Sequence, residues 1–383
     1  MNRTVKILVF CCFIFASGCI SSAVKPITDP GFTGFENDDA NIRARAVELA
    51  TRIDESGFLY NAPELETYLN KVARKILPNS AFDQIQFRIK ILRDPMLNAF
   101  ALANGSVYLH TGILASMENE AQLAALLGHE MTHVTNRHNV RELRDLKNKV
   151  NVFGALFVAT GGLATVLGPV AQATIMGHSR DLERESDVEG FRLAAQAGYD
   201  TTESIKLFEA LKHQIEREKI KESYFFGSHP RIMERIESYQ TLIASLSPGR
   251  AIGVKNEADF QQHVKLLILD NVQLLVQSGR YEWAIYSLQK YIERYPDKVT
   301  AWFLLGEANR QLGEGKEKAA REAYQKAIHL DSNHADAHKM LGITLLKSGD
   351  KNSARQHLEK YLALNAGAKD RTYIERYIKE CEK

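Results

Sequence analysis

His129-Glu130-Met131-Thr132-His133 is an H-E-x-x-H motif inside a run of strong helix formers. On a helix, residues four apart share a face, so His129 and His133 can offer two imidazole nitrogens to one zinc ion. Glu130 follows the first histidine and can reach a water on that metal as a general base. The pattern therefore predicts a helix that carries two metal ligands and the catalytic carboxylate of a metal-assisted hydrolase.

The residues in front of the motif support a helix there. The stretch 119–128 places leucines at helical spacing among alanines, without proline. Gly128 lowers the helix propensity, but a glycine would let a second backbone approach beside the site. The alternative is a surface helix with two histidines, because a short motif alone is a weak signal.

A catalytic zinc site needs a third protein ligand and an open position for water. Glu183 and Asp187 lie four apart in the stretch 179–187, so they share a helix face. We predict Glu183, rather than Glu185, as the third ligand. Asp187 is then the predicted acceptor for the second ring N–H of a ligand histidine. An acidic, solvated helix end is the alternative.

The two motifs together resemble the zinc metallopeptidase family of the CAAX prenyl protease and the mitochondrial inner-membrane protease Oma. The second motif is Ser179-Arg180-x-x-Glu183-x-Glu185-x-Asp187, with Ser186 where that family usually has alanine. The resemblance extends from about residue 41 to 245. It implies a zincin-like (gluzincin) domain with one zinc ion per chain, held by His129, His133 and Glu183.

The same resemblance places His229, in Gly227-Ser228-His229-Pro230, near the zinc. There it would block the open coordination position or stabilise the oxyanion. Its spacing alone indicates neither role, since a histidine before proline is commonly a turn residue.

The first residues are typical of an export signal. Arg3 and Lys6 precede an apolar segment too short to span a bilayer, which predicts a signal peptide over 1–18. Ala16-Ser17-Gly18-Cys19 resembles a bacterial lipoprotein processing site, and Ile20 in place of Asp indicates the outer membrane. We therefore expect a periplasmic protein anchored by a lipid on Cys19. Ordinary signal cleavage is the alternative.

Residues 20–38 are rich in Pro, Gly, Ser and Asp, so we predict a tether over 19–38, after the lipidated Cys19. The formal net charge is +2, and no basic block indicates nucleic acid as a partner. Beyond the leader and Cys19 the chain has Cys381 alone, which excludes an internal disulfide framework.

Helices are predicted near 39–56 and 63–76, followed by a half-buried strand over 85–91, where apolar and polar residues alternate. Strands continue over 98–110 around the hairpin signal Asn104-Gly105. An edge strand of this sheet would pair with an extended substrate backbone, and a purely structural hairpin is the alternative.

Residues 150–177 contain no charged side chain, but they contain five glycines and a proline. We interpret them as two broken apolar segments that pack over the protease or dip into the lipid surface. An integral-membrane protease that uses them as spans is a minority alternative, because each half is shorter than the ~20 residues that a spanning helix needs.

A helical repeat begins near residue 265. Ala284, Ala320 and Ala354 are 36 and 34 residues apart, close to the tetratricopeptide period of about 34 residues. We predict an α-solenoid over 257–383 that binds peptides or another protein on its concave face, or that only covers the protease. Since the catalytic motifs lie upstream, deletion of 257–383 is expected to spare the chemistry.

The predicted fold is mainly α, with a zinc metalloprotease domain over 39–248 and the repeats behind it. This combination resembles the periplasmic β-barrel assembly-enhancing proteases. The resemblance implies degradation of misfolded or stalled outer-membrane proteins, help in their assembly, and docking of the outer-membrane β-barrel assembly machinery on the repeats. The alternative is a chaperone or adaptor that acts through its repeats while its protease site is normally shut.

Overall fold

The computed structural model describes residues 24–145, 178–218, 232–246, 252–313 and 315–382. Within these ranges the chain is mainly helical with one small sheet, as the sequence predicted. Eight helices of the first part are α1 Asn37–Glu55, α2 Pro63–Ile76, α3 Asn79–Gln84, α4 Thr111–Ser116, α5 Glu120–Thr135, α6 Arg180–Gln196, α7 Thr202–Glu218 and α8 Ile232–Ser245. Residues 138–145 are also helical.

The sheet has three strands, β1 Arg88–Leu92, β2 Ala99–Ala101 and β3 Ser106–His110, in the order β1-β3-β2. Strands β2 and β3 form the predicted antiparallel hairpin, and Gly105 in its turn has a φ of 90°. Strand β1 pairs with β3 in parallel, which no local pattern indicated.

Strands β1 and β2 lie at the two edges of the sheet. The outer edge of β1 is bonded to the segment 58–60, where Tyr60 N donates to Ile91 O at 2.9 Å and Arg93 N donates to Phe58 O at 2.7 Å. Pairing of an edge strand with a substrate backbone stays a prediction.

Helix α5 carries the H-E-x-x-H motif and is buried at every residue. It begins behind Asn119, whose side chain accepts a hydrogen bond from Gln122 N at 3.1 Å. The helix packs against α2, α6 and α7, which explains why residues 123–128 in its middle are apolar or small on every face.

Helices α5 and α6 cross at two glycines. A Cβ on Gly128 would lie 2.8 Å from Gly190 O, and a Cβ on Gly190 would lie 2.6 Å from His129 N. The backbones therefore approach beside the motif as predicted from Gly128. No pattern in the sequence marks the partner glycine, Gly190.

The predicted tether differs from the structure beyond residue 23. Val24 and Ile27 are buried, and Ile27 N donates to Thr135 O, the last residue of α5, at 2.8 Å. Helix α1 then begins at Asn37. The Pro- and Gly-rich composition concealed these two apolar anchors, which hold residues 24–27 beside the catalytic helix, whereas most of residues 28–38 are exposed.

The repeats form the helices α9 Glu257–Gln277, α10 Tyr281–Arg294, α11 Val299–Leu312, α12 Glu317–Leu330, α13 Ala335–Lys347, α14 Lys351–Leu364 and α15 Arg371–Cys381. The three repeat alanines lie one each on α10, α12 and α14 and are fully buried. Small residues also allow close pairing of helices within a repeat, because a Cβ on Gly306 would collide with the ring of Tyr324.

The hydrophobic core continues from the first part of the chain into the repeats. One cluster joins Ile27 to Ala308 and includes Phe260 and Val264 of α9. Buried polar groups join the same parts, since Thr111 Oγ1 donates to Asn271 Oδ1 at 2.9 Å. Because α9 covers the protease core, the structure predicts that deletion of 257–383 disturbs the protease, contrary to the expectation from the sequence.

Several predictions concern residues outside the described ranges: the signal peptide 1–18, lipidation of Cys19, the apolar stretch 150–177 and the role of His229. Among the described residues, no helix combines the length and the apolar character needed to cross a membrane.

Candidate metal centre

Three predicted ligands converge at the crossing of α5 and α6. The Nε2 atoms of His129 and His133 lie 3.1 Å apart. The carboxylate of Glu183 lies 3.5 Å from the first of these nitrogens and 3.4 Å from the second. All three side chains are buried, and their ligand atoms lie within 4.8 Å of one another. Two imidazoles and one carboxylate that share a point form the donor set of a catalytic zinc site.

Asp187 lies one turn beyond Glu183 on α6 and fixes the ring of His129. Its Oδ1 is 2.9 Å from His129 Nδ1. A carboxylate at this distance accepts the Nδ1 proton and leaves Nε2 bare toward the metal position. Asp187 thereby favours the tautomer that a metal ligand needs, although Arg235 Nη2 also lies 2.9 Å from the same nitrogen.

Arg235 and Tyr239 of α8 hold Asp187 in turn. Arg235 Nη2 donates to Asp187 Oδ1 at 2.7 Å, and Tyr239 donates its hydroxyl proton to the same oxygen at 3.2 Å. Burial by itself would raise the pKa of Asp187, but the charge of Arg235 and the hydrogen bond from His129 lower it. Asp187 is therefore ionised.

No pattern in the sequence marks Arg235 as functional, although it belongs to the stretch that carries the resemblance. Its guanidinium is 5% exposed and lies 4.3 Å from the ring centroid of Phe208 on α7. From the sequence alone, a single arginine on an amphipathic helix is expected to lie on the solvated face. Only the packing of α8 on α6 brings it to a buried carboxylate.

Two further histidines, His138 and His178, lie against His133 and were not predicted. His138 is fully buried, with its Nδ1 2.9 Å from His133 Nδ1. The ring of His178 stacks on His133, with centroids 4.0 Å apart. Burial lowers the pKa of His138. Spacing gave no signal for it, because Asn136 and Arg137 interrupt the helix between the two residues.

Glu185, the rival ligand, points to a different set of partners. It accepts hydrogen bonds from Asn136 Nδ2 at 2.7 Å and from Arg141 Nη1 at 2.7 Å, and lies 3.5 Å from His138 Nε2. Its interactions with His138, Arg141 and Asn136 lower its pKa to about 2. The structure therefore places Glu183, and not Glu185, beside the two Nε2 atoms.

Glu130 is 1% exposed and follows His129 on α5. A cleft of about 180 Å³ opens between α6 and α8, and Glu183 is the one member of the donor set that lines it. His178, Glu183, Asp187 and Arg235 are among the residues that line it. A carboxylate that follows a metal ligand on the same helix, next to a buried donor set, is the equipment that metal-assisted hydrolysis requires.

Comparison with known proteins decides the family. Residues 63–243 match the model of peptidase family M48, and the metalloprotease YcaL of Escherichia coli is 30% identical over 183 residues, which cover 46% of this chain and 69% of that protein. The chain belongs to peptidase family M48. It is a metalloprotease, and its His-His-Glu group fits the metal site of that metal-dependent family.

Two other similar proteins are also named as proteases. The β-barrel assembly-enhancing protease of Escherichia coli is 24% identical over 341 residues, covering 79% of this chain and 69% of that protein. The mitochondrial metalloendopeptidase OMA1 of Schizosaccharomyces pombe is 29% identical over 176 residues, 45% of this chain and 51% of that protein. Tetratricopeptide models match residues 269–318 and 311–371, as the repeat spacing predicted.

Proposed function

We propose that this protein is a zinc-dependent endopeptidase of the cell envelope that degrades misfolded or stalled outer-membrane proteins and aids their assembly. The observation that carries the proposal is the convergence of His129, His133 and Glu183 beside Glu130, in a chain that also carries repeats. The similarity to the β-barrel assembly-enhancing protease covers both parts, because it extends over 79% of the chain.

In this proposal His129, His133 and Glu183 hold one zinc ion. Bound zinc would supply a Lewis acid that lowers the pKa of water and polarises the peptide carbonyl. Glu130 takes the proton of the attacking water and returns it to the departing amine nitrogen. Asp187 keeps His129 in the tautomer that presents Nε2. His229 would gate the open position or stabilise the oxyanion, on the basis of the family resemblance.

The location and partners follow from the export signal and the repeats. A lipid on Cys19 would anchor the chain at the periplasmic face of the outer membrane, where unfolded or misassembled envelope proteins accumulate. The concave face of the repeats would dock these clients or the β-barrel assembly machinery. Mass spectrometry of the mature N-terminus tests the anchor, since an unmodified Cys19 in native material would leave only ordinary secretion.

The test of the protease assignment uses the full chain and its Glu130→Gln variant. Purified wild-type protein should bind one zinc ion and cleave an unfolded substrate, and a chelator should abolish the cleavage. The variant should retain zinc, lose cleavage and co-purify with uncleaved clients. Metal-independent cleavage, or cleavage by the variant at the wild-type rate, would contradict the proposal.

The second candidate function is a chaperone or adaptor with a normally shut protease site. The burial of Glu130 and of all three donors favours a site that is closed at rest. Expression of Glu130→Gln in cells that lack the protein separates the two functions. Restoration of outer-membrane integrity by the variant would support the adaptor, and failure to restore it would support proteolysis.

A further inference from the structure

His129 and His133 present the same nitrogen to the metal position, so each must carry its proton on Nδ1. For His129 the acceptor of that proton is Asp187. For His133, the nitrogen His138 Nδ1 lies 2.9 Å from its Nδ1. Two nitrogens at this distance form a hydrogen bond only if one donates and the other accepts.

The direction of this hydrogen bond follows from the metal position. Because His133 Nε2 faces Glu183 and His129, its Nδ1 is the donor, and His138 Nδ1 is the acceptor. The proton of neutral His138 is then on Nε2, which lies 3.5 Å from Glu185 Oε1, an electrostatic contact longer than a hydrogen bond. Ser186 Oγ, 3.3 Å from His138 Nδ1, can only add a second donor to the same acceptor.

We propose that His138 and Glu185 form a positioning chain that fixes the tautomer and ring orientation of His133, as Asp187 does for His129. The chain runs from Glu185 Oε1 through His138 to His133 Nδ1. Arg141 and Asn136 hold its carboxylate end at 2.7 Å each. This inference rests on the proposed zinc site and assigns Glu185 a supporting role in it.

Each ligand histidine therefore has a hydrogen-bond acceptor for its Nδ1 proton. The acceptor for His129 belongs to α6, and the acceptor for His133 is His138, which lies beside Glu185 of α6. Asp187 acts directly, whereas Glu185 acts through the imidazole of His138. Outer hydrogen bonds of this kind typically change metal affinity by about 10- to 100-fold. The contribution of His138 should therefore appear in zinc affinity before any substrate is added.

The experiment measures zinc dissociation constants of the purified full chain by competition with a chelator. His138→Leu removes the acceptor and should weaken zinc binding by roughly 10- to 100-fold. His138→Gln restores an acceptor oxygen toward His133 and an N–H toward Glu185, so its affinity should stay within about threefold of wild type. The visible absorption of the cobalt-substituted protein should change in His138→Leu and recover in His138→Gln.

His338→Leu is the matched control. His338 is also buried and lies 2.8 Å from a second histidine, His357, but on the distant helices α13 and α14. Its substitution should leave zinc affinity unchanged. Wild type and His133→Ala establish the site itself: if wild type binds no zinc, or His133→Ala binds it normally, the proposed function fails rather than this inference.

Two results would overturn the positioning chain in a protein whose zinc site is established. The first is wild-type zinc affinity in His138→Leu, or an equal loss in His138→Gln. The second is a proton on His138 Nδ1 in the zinc-loaded wild type, read from histidine nitrogen-15 chemical shifts. The second measurement also decides the question if the thermal midpoint of metal-free His138→Leu shows that this variant does not fold.

Discussion

At the residue scale, the site depends on charges that are buried and fully paired. Arg235, Asp187 and His129 form one connected group that is almost inaccessible to water. Removing one member of a buried ion pair leaves the other charge unpaired, which costs far more than removing a surface pair.

Substitution of Arg235 should therefore be severe. Arg235→Leu leaves the Asp187 carboxylate buried without its counter-charge, so the free energy of unfolding should fall by about 3–5 kcal/mol. Arg192→Leu on α6 is the control, because the Arg192–Glu189 pair is partly exposed and should contribute within about 1 kcal/mol. Urea denaturation of the metal-free proteins measures the free energy of unfolding of both variants. Equal losses in the two variants would show that the buried pair stabilises the fold no more than the surface pair does.

Substitutions of Glu183 and Glu185, the two glutamates of the second motif, should differ in the zinc content of the purified variants. Glu183→Ala removes a donor that lies 3.4 Å from His133 Nε2, so zinc should be lost on purification. Glu185→Ala leaves all three donors in place and should retain zinc at reduced affinity. Equal zinc content in Glu183→Ala and wild type would remove Glu183 from the ligand set.

Glu130→Gln tests the base without disturbing the metal. The amide keeps the size of the carboxylate but cannot accept the proton of the attacking water, so the turnover number should fall by about 10²- to 10⁴-fold with zinc content unchanged. A loss of zinc in this variant would show that Glu130 supports the site structurally instead.

At the scale of elements, the crossing of α5 and α6 sets the distance between the ligands. Gly190→Ala would place a Cβ against the backbone of His129 and force the helices apart. Overpacking of this kind costs about 1–3 kcal/mol, and Glu183 should move away from the histidines with its helix. Thermal unfolding and zinc affinity should both decline, whereas Gly367→Ala, which meets open space, should change neither.

The start of α5 is held by a second buried carboxylate, Glu203 of α7. It accepts hydrogen bonds from Asn119 at 2.8 Å and from Gln122 at 3.1 Å. Burial alone would raise the pKa of Glu203, but Lys206, Lys255 and these amides lower it to about 2 from 4.5. Its ionised form therefore stabilises the fold above about pH 4.5, and that contribution disappears as the pH falls through about 2.

This linkage predicts the pH dependence of one variant. Glu203→Gln should be less stable than wild type at pH 7, because the amide lacks the charge that Lys206 and Lys255 face. The difference in urea midpoint should shrink between about pH 4.5 and 2. A difference that stays constant over this range would show that the charge of Glu203 is not the stabilising feature.

At the scale of the whole molecule, the protease and the first repeat share one core. Helix α9 contributes Phe260 and Val264 to the cluster that also contains residues of α2 and α5. The outer repeats have small clusters of their own, built around Tyr324 and Leu341 and around Leu358 and Ile374. The boundary between dispensable and indispensable repeats therefore lies inside the solenoid.

Two truncations test this division. Deletion of 257–383 should unfold the protease, because it exposes the core face that α9 covers. Deletion of 335–383 removes α13 to α15 and should spare zinc content and cleavage of a generic unfolded protein, while lowering degradation of the physiological client. If the shorter deletion degrades its client in cells as fast as the full chain, the outer repeats do not recruit it.

The sequence by itself determined the parts that depend on spacing along one helix or one hairpin. His129 and His133 share a helix face by their interval, as do Glu183 and Asp187, and the hairpin turn was visible at Asn104-Gly105. The spacing of the small residues likewise indicated the period of the repeats. These features are local, so a pattern of a few residues suffices to indicate them.

Only the tertiary structure decided which residues of different helices contact one another at the site. Arg235, His138 and Gly190 reach the site through the packing of α5, α6 and α8, and nothing in their own neighbourhoods marks them. The burial of Val24 and Ile27 and the joining of α9 to the protease core have the same origin. Each depends on contacts between segments distant in sequence, where burial and the pairing of charges, rather than local propensity, select the partner.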